Sequence, residues 1–208
     1  MEPFPAESSY GFEQTYSGEE FHALFESDSS VELIDGRLSR RVLSGWWASM
    51  TTTTVGTQLL LFASQRALGD VVVGNGTFRI AHEPDTVLLV DAALVRRSRL
   101  DGQDLTSFFE GPPDIAVEVC GPAEIHAELE RRMDRYLDAG TETTWLVDPT
   151  RRRVQVRSQA GSARLLTGDE VLDGGSLLPG LRLPIPLLFA PQDRLRAMPV
   201  SAQTARHC

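Results

Sequence analysis

Two apolar stretches, each carrying one acidic residue, decide the fold: residues 87–95 read VLLVDAALV and residues 115–120 read IAVEVC. Continuous runs of aliphatic residues of this length are typical of strands that are buried on both faces of a sheet. The two acids, Asp91 and Glu118, are therefore expected to lie in the interior. Burying an unpaired carboxylate is costly, so each one needs a compensating partner.

A metal ion, an arginine or a proton could compensate these carboxylates. In the simpler interpretation, Asp91 and Glu118 form two separate salt bridges. In the sharper interpretation they share one hard cation with oxygen ligands, an arrangement that suits Mg²⁺ or Mn²⁺. The two strands alone leave both interpretations open.

The helix that follows Glu118 is the clearest in the chain, over residues 124–139, and Gly140 ends it. Its predicted buried stripe consists of Ile125, Leu129, Met133, Tyr136 and Leu137. At roughly 100° per residue, Arg132 lies only about 60° from the centre of that stripe. Arg132 is therefore expected to lean toward the core. An ordinary helix pair with Glu128 one turn earlier is the simpler interpretation, and the two are compatible.

A fourth candidate, Glu32, lies in residues 31–34, VELI, which are predicted to form a strand before the turn at Asp35-Gly36. Residues 38–43 would return as the second strand of this hairpin. Strand alternation puts Glu32 and Ile34 on one face, which is an unusual pairing for a solvated acid. A surface glutamate is the alternative.

The rest of the chain predicts an α/β (α+β) fold, in which strands on both sides of a helix form a mixed sheet flanked by helices. Further helices are predicted over residues 17–25 and 51–68, and residues 98–112 as a loop or short helix. Gly74-Asn75-Gly76 is interpreted as a hairpin turn between strands at 71–73 and 77–80. Later strands are predicted at residues 143–147, 153–157 and 163–166. The domain is expected to span residues 17–190, between flexible tails at 1–16 and 191–208.

The charged residues of the chain limit the kinds of partner that we expect it to bind. The net charge of −9 repels nucleic acid at long range, which argues against a protein that coats DNA but leaves room for a local basic groove. The candidate phosphate contacts are arginines in two groups: Arg96, Arg97 and Arg99, and Arg37, Arg40 and Arg41. All 20 basic residues are arginine, so a mechanism that needs lysine is excluded.

Cysteine usage and hydropathy bear on location. Cys120 and Cys208 do not make a disulfide framework, and the cytoplasm is the expected compartment. No stretch approaches the ~18 apolar residues that a membrane helix needs, so no membrane partner is expected. The histidines make no zinc spacing, and P-loop, dinucleotide and Gly-x-Ser-x-Gly motifs are absent from the sequence.

An ordered set of short motifs resembles the Uma-two family, which is classed with the restriction endonucleases of the PD-(D/E)XK superfamily. The matching stretches include residues 19–21, 31–36, 90–91, 95–97, 111–114, 117–119, 132–140, 145–149 and 178–180. The resemblance implies a restriction-endonuclease-like fold with a mixed sheet and flanking helices. It also implies that Asp91 and Glu118 are metal ligands for Mg²⁺ or Mn²⁺ and that Glu32 is a further active-site acid.

Three departures from the family pattern bear on activity. Val90 stands where the family usually has proline, and residues 51–54 lack the histidine that relatives often carry. The family's active-site lysine falls on Arg132, which keeps the positive charge but cannot lose its proton to act as a general base.

Two functions follow as hypotheses. The first is a Mg²⁺-dependent endonuclease that hydrolyses DNA, with Asp91 and Glu118 on the metal, Arg132 stabilising developing charge and Glu32 orienting water or a second ion. Relatives with this fold often pair to cut two strands, which implies a homodimer. The second is a catalytically inactive nuclease-fold protein that binds nucleic acid or a protein partner.

Overall fold

The computed structural model describes residues 14–25, 30–41, 45–104, 106–121 and 126–196. These ranges form one mixed sheet, a two-stranded ribbon and flanking helices. In chain order the elements are α1 (Gly18–Phe25), β1 (Val31–Ile34), β2 (Arg37–Arg40), α2 (Trp46–Gln65), β3 (Gly69–Ala81), β4 (Thr86–Arg96), a 3₁₀ turn (Arg97–Arg99), β5 (Phe109–Glu110), β6 (Ile115–Val119), α3 (His126–Asp138), β7 (Thr143–Asp148), β8 (Arg153–Ser158), β9 (Ala163–Thr167), β10 (Val171–Gly174), β11 (Leu178–Pro184) and α4 (Ile185–Arg196).

Strand β4 organises the sheet. One of its edges pairs with β3 along most of its length, and the other pairs with β1 near its start and with β6 near its end. The order continues from β6 through β7 and β8 to β9. Strands β6 and β7 are parallel, as expected for neighbours that a helix connects, and α3 is that helix. The predicted mixed sheet with flanking helices is confirmed.

The two faces of the sheet are buried under different helices. Helices α2 and α4 cover one face through residues such as Val55, Leu59 and Phe189, and α3 covers the other through Leu129 and Met133. Side chains along β6 alternate between these two cores. Because Val117 and Val119 face α2, Glu118 between them faces α3.

The predicted hairpin turn at Gly74-Asn75-Gly76 is wrong. Strand β3 runs through it without reversing, and the register with β4 shifts between Val73 and Gly76, which is a β-bulge. Gly74 has a φ of 83°, a conformation that favours glycine in bulges as well as in turns. The eleven-residue β4 gives both halves of β3 one continuous partner, and this tertiary pairing overrides the local turn signal.

The limits of other helices and strands differ from the predicted ones by a few residues. Helix α2 begins at Trp46, five residues before the predicted start at Thr51, and strand β2 ends at Arg40, before the predicted limit at residue 43. Helix α3 is observed from His126, and Ile125 of its predicted stripe lies outside the described residues.

The C-terminal part of the domain continues beyond the predicted limit at residue 190. Helix α4 extends to Arg196, and its buried Gln192 donates a hydrogen bond to Thr51 of α2. At the other end, Thr15 forms a bridge with Arg37 of β2. The remaining residues of both predicted tails, 1–13 and 197–208, lie outside the described residues.

Candidate active site

The structure brings Asp91 and Glu118 together at one point. The register pairs Ala92 with Val117, so the residues next to them, Asp91 and Glu118, are cross-strand neighbours on β4 and β6. Nη2 of Arg41 donates to Oδ1 of Asp91 at 2.8 Å and to Oε2 of Glu118 at 2.5 Å. Both carboxylates therefore reach a single atom.

The second oxygen of each acid is also held. Oδ2 of Asp91 accepts the backbone N–H of Val119 at 2.7 Å, which fixes the carboxylate against the end of β6. Oε1 of Glu118 accepts from Nη2 of Arg132 at 3.1 Å. The two acids are thus oriented by the backbone of the neighbouring strand and by the helix that covers it.

Glu32 joins the same group from β1. It forms a two-pronged ion pair in which Nη1 and Nη2 of Arg132 donate to its two oxygens, the latter at 2.9 Å. The backbone N–H of Leu89 also donates to Glu32, at 2.7 Å. Glu32 is buried, so the alternative of a surface glutamate does not hold. We call Glu32, Arg41, Asp91, Glu118 and Arg132 the acid–arginine cluster.

Arg132 leans into the core, as its helical position predicted. Besides the two glutamates, it donates to the backbone carbonyl of Leu89 at 2.5 Å. The ordinary helix pair of Glu128 is made with Arg131, at 4.0 Å, and not with Arg132. Arg132 therefore links the helix α3 to both β1 and β6.

Sequence reasoning missed the role of Arg41, which it treated only as a candidate phosphate contact. The Arg41 side chain is 8% exposed, and besides the two acids it donates to the carbonyl of Leu89 at 2.8 Å. The available signal was its position between Arg40 and the apolar pair Val42-Leu43, which is unusual for a solvated cation. That pattern gives no clue to the acids that lie 50 and 77 residues away in sequence.

Negative charge is in surplus in the cluster, since it holds three acids and two arginines. Complete burial raises the pKa of Glu118 to about 7, against the opposing pull of Arg132 and Arg41. Burial alone lowers the pKa of Arg132, but Glu118 and Glu32 outweigh it, and the net pKa is well above its ordinary value. Arg132 therefore stays protonated and cannot act as a base.

A cleft of about 250 Å³ opens beside the cluster. Its wall comes from β1, β2, the residue after β2, and α3. Five arginines line it: Arg40, Arg41, Arg131, Arg132 and Arg135. Acidic residues contribute only Glu32 and Glu128 to the lining, so arginines outnumber acids there although the whole protein is acidic.

The other predicted group of phosphate contacts is engaged elsewhere. Arg96 donates to the buried carboxylate of Asp114 at 2.7 Å, and Arg99 lies 3.3 Å from the same residue. These two arginines pair with a buried acid at the start of β6, whereas Arg97 and Arg37 are exposed.

The donor set fits a hard divalent cation under one condition. No group of three or more acidic, histidine or cysteine side chains with metal-binding geometry occurs within the described ranges. Two carboxylates meeting at one point do match Mg²⁺, which keeps several waters and uses one or two protein carboxylates. The meeting point coincides with Nη2 of Arg41, so a cation would require that side chain to move aside.

Comparison with known proteins agrees with this architecture. The family model Uma2, described as "Putative restriction endonuclease", matches residues 18–186. The chain belongs to the Uma2 family. Among solved structures, this Uma2 chain is similar to the "putative nuclease belonging to DUF820 from Anabaena variabilis ATCC 29413". The TM-score is 0.73 at 18% identity, over 84% of this chain and 98% of that one, which indicates a shared fold.

Comparison with curated proteins and the hydropathy of the helices give two further findings. No curated protein matches this Uma2 chain. Among the helices of the described ranges, none combines the length and the hydropathy needed to cross a bilayer.

Proposed function

We propose that this Uma2 protein is an endonuclease that hydrolyses DNA phosphodiester bonds with a divalent cation, Mg²⁺ or Mn²⁺, held by Asp91 and Glu118. The observation that carries the proposal is the convergence of both carboxylates on one point beside an arginine-lined cleft. Membership of a nuclease-like family supports the same class of reaction. A homodimer in the cytoplasm, with one cleft for each DNA strand, belongs to this proposal.

Arg132 and Glu32 have different roles beside the cation site. When bound, a divalent cation lowers the pKa of water and polarises the scissile phosphate. Arg132 supplies fixed positive charge for the negative charge that develops on the phosphate oxygens. Glu32 uses both oxygens to hold Arg132, which supports a role in positioning that guanidinium, and its orientation of water or a second ion stays a prediction.

The substrate class follows from the cleft. Arg40, Arg131 and Arg135 line it together with the two arginines of the cluster. Arginine forks match phosphate oxygens well, and a local positive groove attracts the DNA backbone even when the net charge is negative. Because Arg132 stays protonated, it cannot act as the general base that accepts a proton from water. We therefore expect turnover below that of lysine-bearing relatives.

One observation favours a second candidate, a catalytically inactive nuclease-fold protein that binds nucleic acid or a protein partner. Arg41 contacts both Asp91 and Glu118 and supplies positive charge where a cation would lie. If Arg41 never leaves, the arginine-lined cleft remains a binding surface without hydrolytic chemistry.

Plasmid nicking distinguishes the two candidates. Wild-type protein is incubated with supercoiled DNA and Mg²⁺ or Mn²⁺ and compared with Asp91→Asn, which keeps the shape of the side chain. The matched control is Asp173→Asn, an exposed acid paired with Arg164 away from the cleft. We expect nicking by wild type and control, and a loss of about two orders of magnitude in Asp91→Asn. Equal nicking by all three proteins would end the proposal.

A further inference from the structure

A second cavity, of about 160 Å³, lies at the start of helix α2 and is lined by Trp46 and Trp47. Trp46 is 72% exposed and Trp47 is 38% exposed. Large aromatic residues usually bury most of their surface, so the exposure of Trp46 beside a cavity indicates a binding surface. Cys120, Pro149 and the buried Gln192 contribute to the remaining wall. We call this cavity the tryptophan pocket.

The tryptophan pocket lies at the carboxyl ends of β6, which carries Glu118, and of the neighbouring β7. Cys120 follows Glu118 by two residues, which is a distance of about 7 Å along an extended strand. On the other side, Gly45 follows Arg41 by four residues, which span at most about 14 Å. The backbone of the pocket wall is therefore within about 14 Å of the backbone at the acid–arginine cluster, through the end of β6 and through the Arg41-to-Gly45 connection.

The wall of the pocket combines an apolar surface with a favourable site for an anion. Gly45, Trp46, Trp47 and Ala48 form the N-cap and first turn of a 20-residue helix, and Gly45 contributes no capping side chain. The start of such a helix carries partial positive charge and favours phosphate. An aromatic ring system with an attached phosphate matches both properties.

We propose that the tryptophan pocket stacks one unpaired nucleobase of the substrate, next to the phosphate that is bound at the acid–arginine cluster. This inference rests on the proposed nuclease function and names its substrate class, nucleic acid with a single-stranded segment. Base stacking on aromatic side chains beside a basic groove is how single strands are held without sequence preference. The cavity suits one ring system, since pockets for drug-sized ligands run to about 300–1,000 Å³.

The test measures binding without hydrolysis. A fluorescein-labelled oligo(dT) of about twelve nucleotides and a duplex of equal length are titrated in EDTA, and fluorescence anisotropy reports the affinity. The proteins are wild type, Trp46→Ala, Trp46→Phe and a control, Leu60→Ala. Leu60 lies on the same helix and is 46% exposed, but it does not line the pocket.

We expect Trp46→Ala to bind the single strand about tenfold more weakly, as loss of a stacking partner predicts. Trp46→Phe should recover most of the affinity, and Leu60→Ala should bind like wild type. Duplex binding should change little. The proposal is overturned if Trp46→Ala binds oligo(dT) as tightly as wild type, which is the result for a surface that receives a protein partner. It is equally overturned if duplex affinity falls by the same factor.

Failure of this inference is distinguishable from failure of the nuclease proposal. If wild type nicks plasmid DNA but Trp46→Ala keeps its single-strand affinity, only the stacking role is lost. If wild type nicks nothing while Trp46→Ala loses single-strand affinity, the pocket binds bases in a protein without nuclease activity.

Discussion

Two buried groups of acids and arginines lie on the same sheet, and they differ in charge balance. In the acid–arginine cluster, three buried acids share two arginines. In the second group, which we call the Arg79 group, the buried Arg79 contacts one buried acid, Asp85, and two exposed ones, Glu19 and Glu110. One group has surplus buried negative charge, and the other is a balanced buried pair.

The partners of the acids differ as well. In the Arg79 group, Asp85 accepts from Nε and Nη2 of Arg79 and from the backbone N–H of Gly18, which anchors the start of α1. These contacts attach α1 to the turn before β4, and the buried charges of Arg79 and Asp85 balance each other. In the acid–arginine cluster, the pKa of Glu118 is raised to about 7 and a cleft opens beside the acids.

Burial of a carboxylate does not by itself mark a functional site. A balanced buried pair can be explained by structure alone, whereas surplus buried charge is a cost to stability that a cation would relieve. Each of the following changes tests that distinction.

Among the substitutions, the largest effect on stability is expected in the Arg79 group. Asp85→Ala leaves the Arg79 guanidinium buried with only exposed partners, and we expect the free energy of unfolding to fall by about 3 kcal/mol. Glu19→Ala removes an exposed partner of the same arginine, with a side chain that is 70% exposed, and should cost less than about 1 kcal/mol. Urea unfolding of both variants measures the difference. Equal losses would contradict the structural role of the balanced pair.

The acid–arginine cluster should respond to pH in the opposite sense to a paired acid. Because the folded pKa of Glu118 lies near 7 and its ordinary value is 4.5, the folded state binds more protons between these values. The contribution of Glu118 to stability is therefore present in full below pH 4.5 and is lost as the pH rises through 7, by roughly 3 kcal/mol. Urea unfolding in EDTA, with Glu118→Gln as the reference, isolates this contribution. A difference that grows in favour of wild type as the pH rises would show a stably paired carboxylate.

The smallest effect is expected at the rim of the cleft. Arg135 donates to both oxygens of Asp35, at 3.0 and 2.8 Å, but both residues are well exposed. Exposed pairs contribute up to about 1 kcal/mol, so Asp35→Asn should change stability by no more than that. Asparagine also tolerates the positive φ of 52° at this position. A thermal-denaturation loss as large as that of Asp85→Ala would place this pair with the buried groups.

The elements that carry the predicted acids could be found from sequence, because their signals are local. Strands β4 and β6 appear as uninterrupted apolar runs, and the stripe of α3 points Arg132 inward. Arg41 could not be assigned in this way, because its partners lie on strands distant in sequence. The continuous β3 was missed for a related reason, since a glycine with positive φ serves turns and bulges alike.

Anomalous diffraction from Mn²⁺-soaked crystals of the wild-type protein tests directly whether Asp91 and Glu118 share one cation position. We predict one manganese peak within bonding distance of both carboxylates, with the Arg41 guanidinium moved away from them. Crystals at saturating Mn²⁺ that show no peak there, with Arg41 still bridging the two acids, would contradict the account.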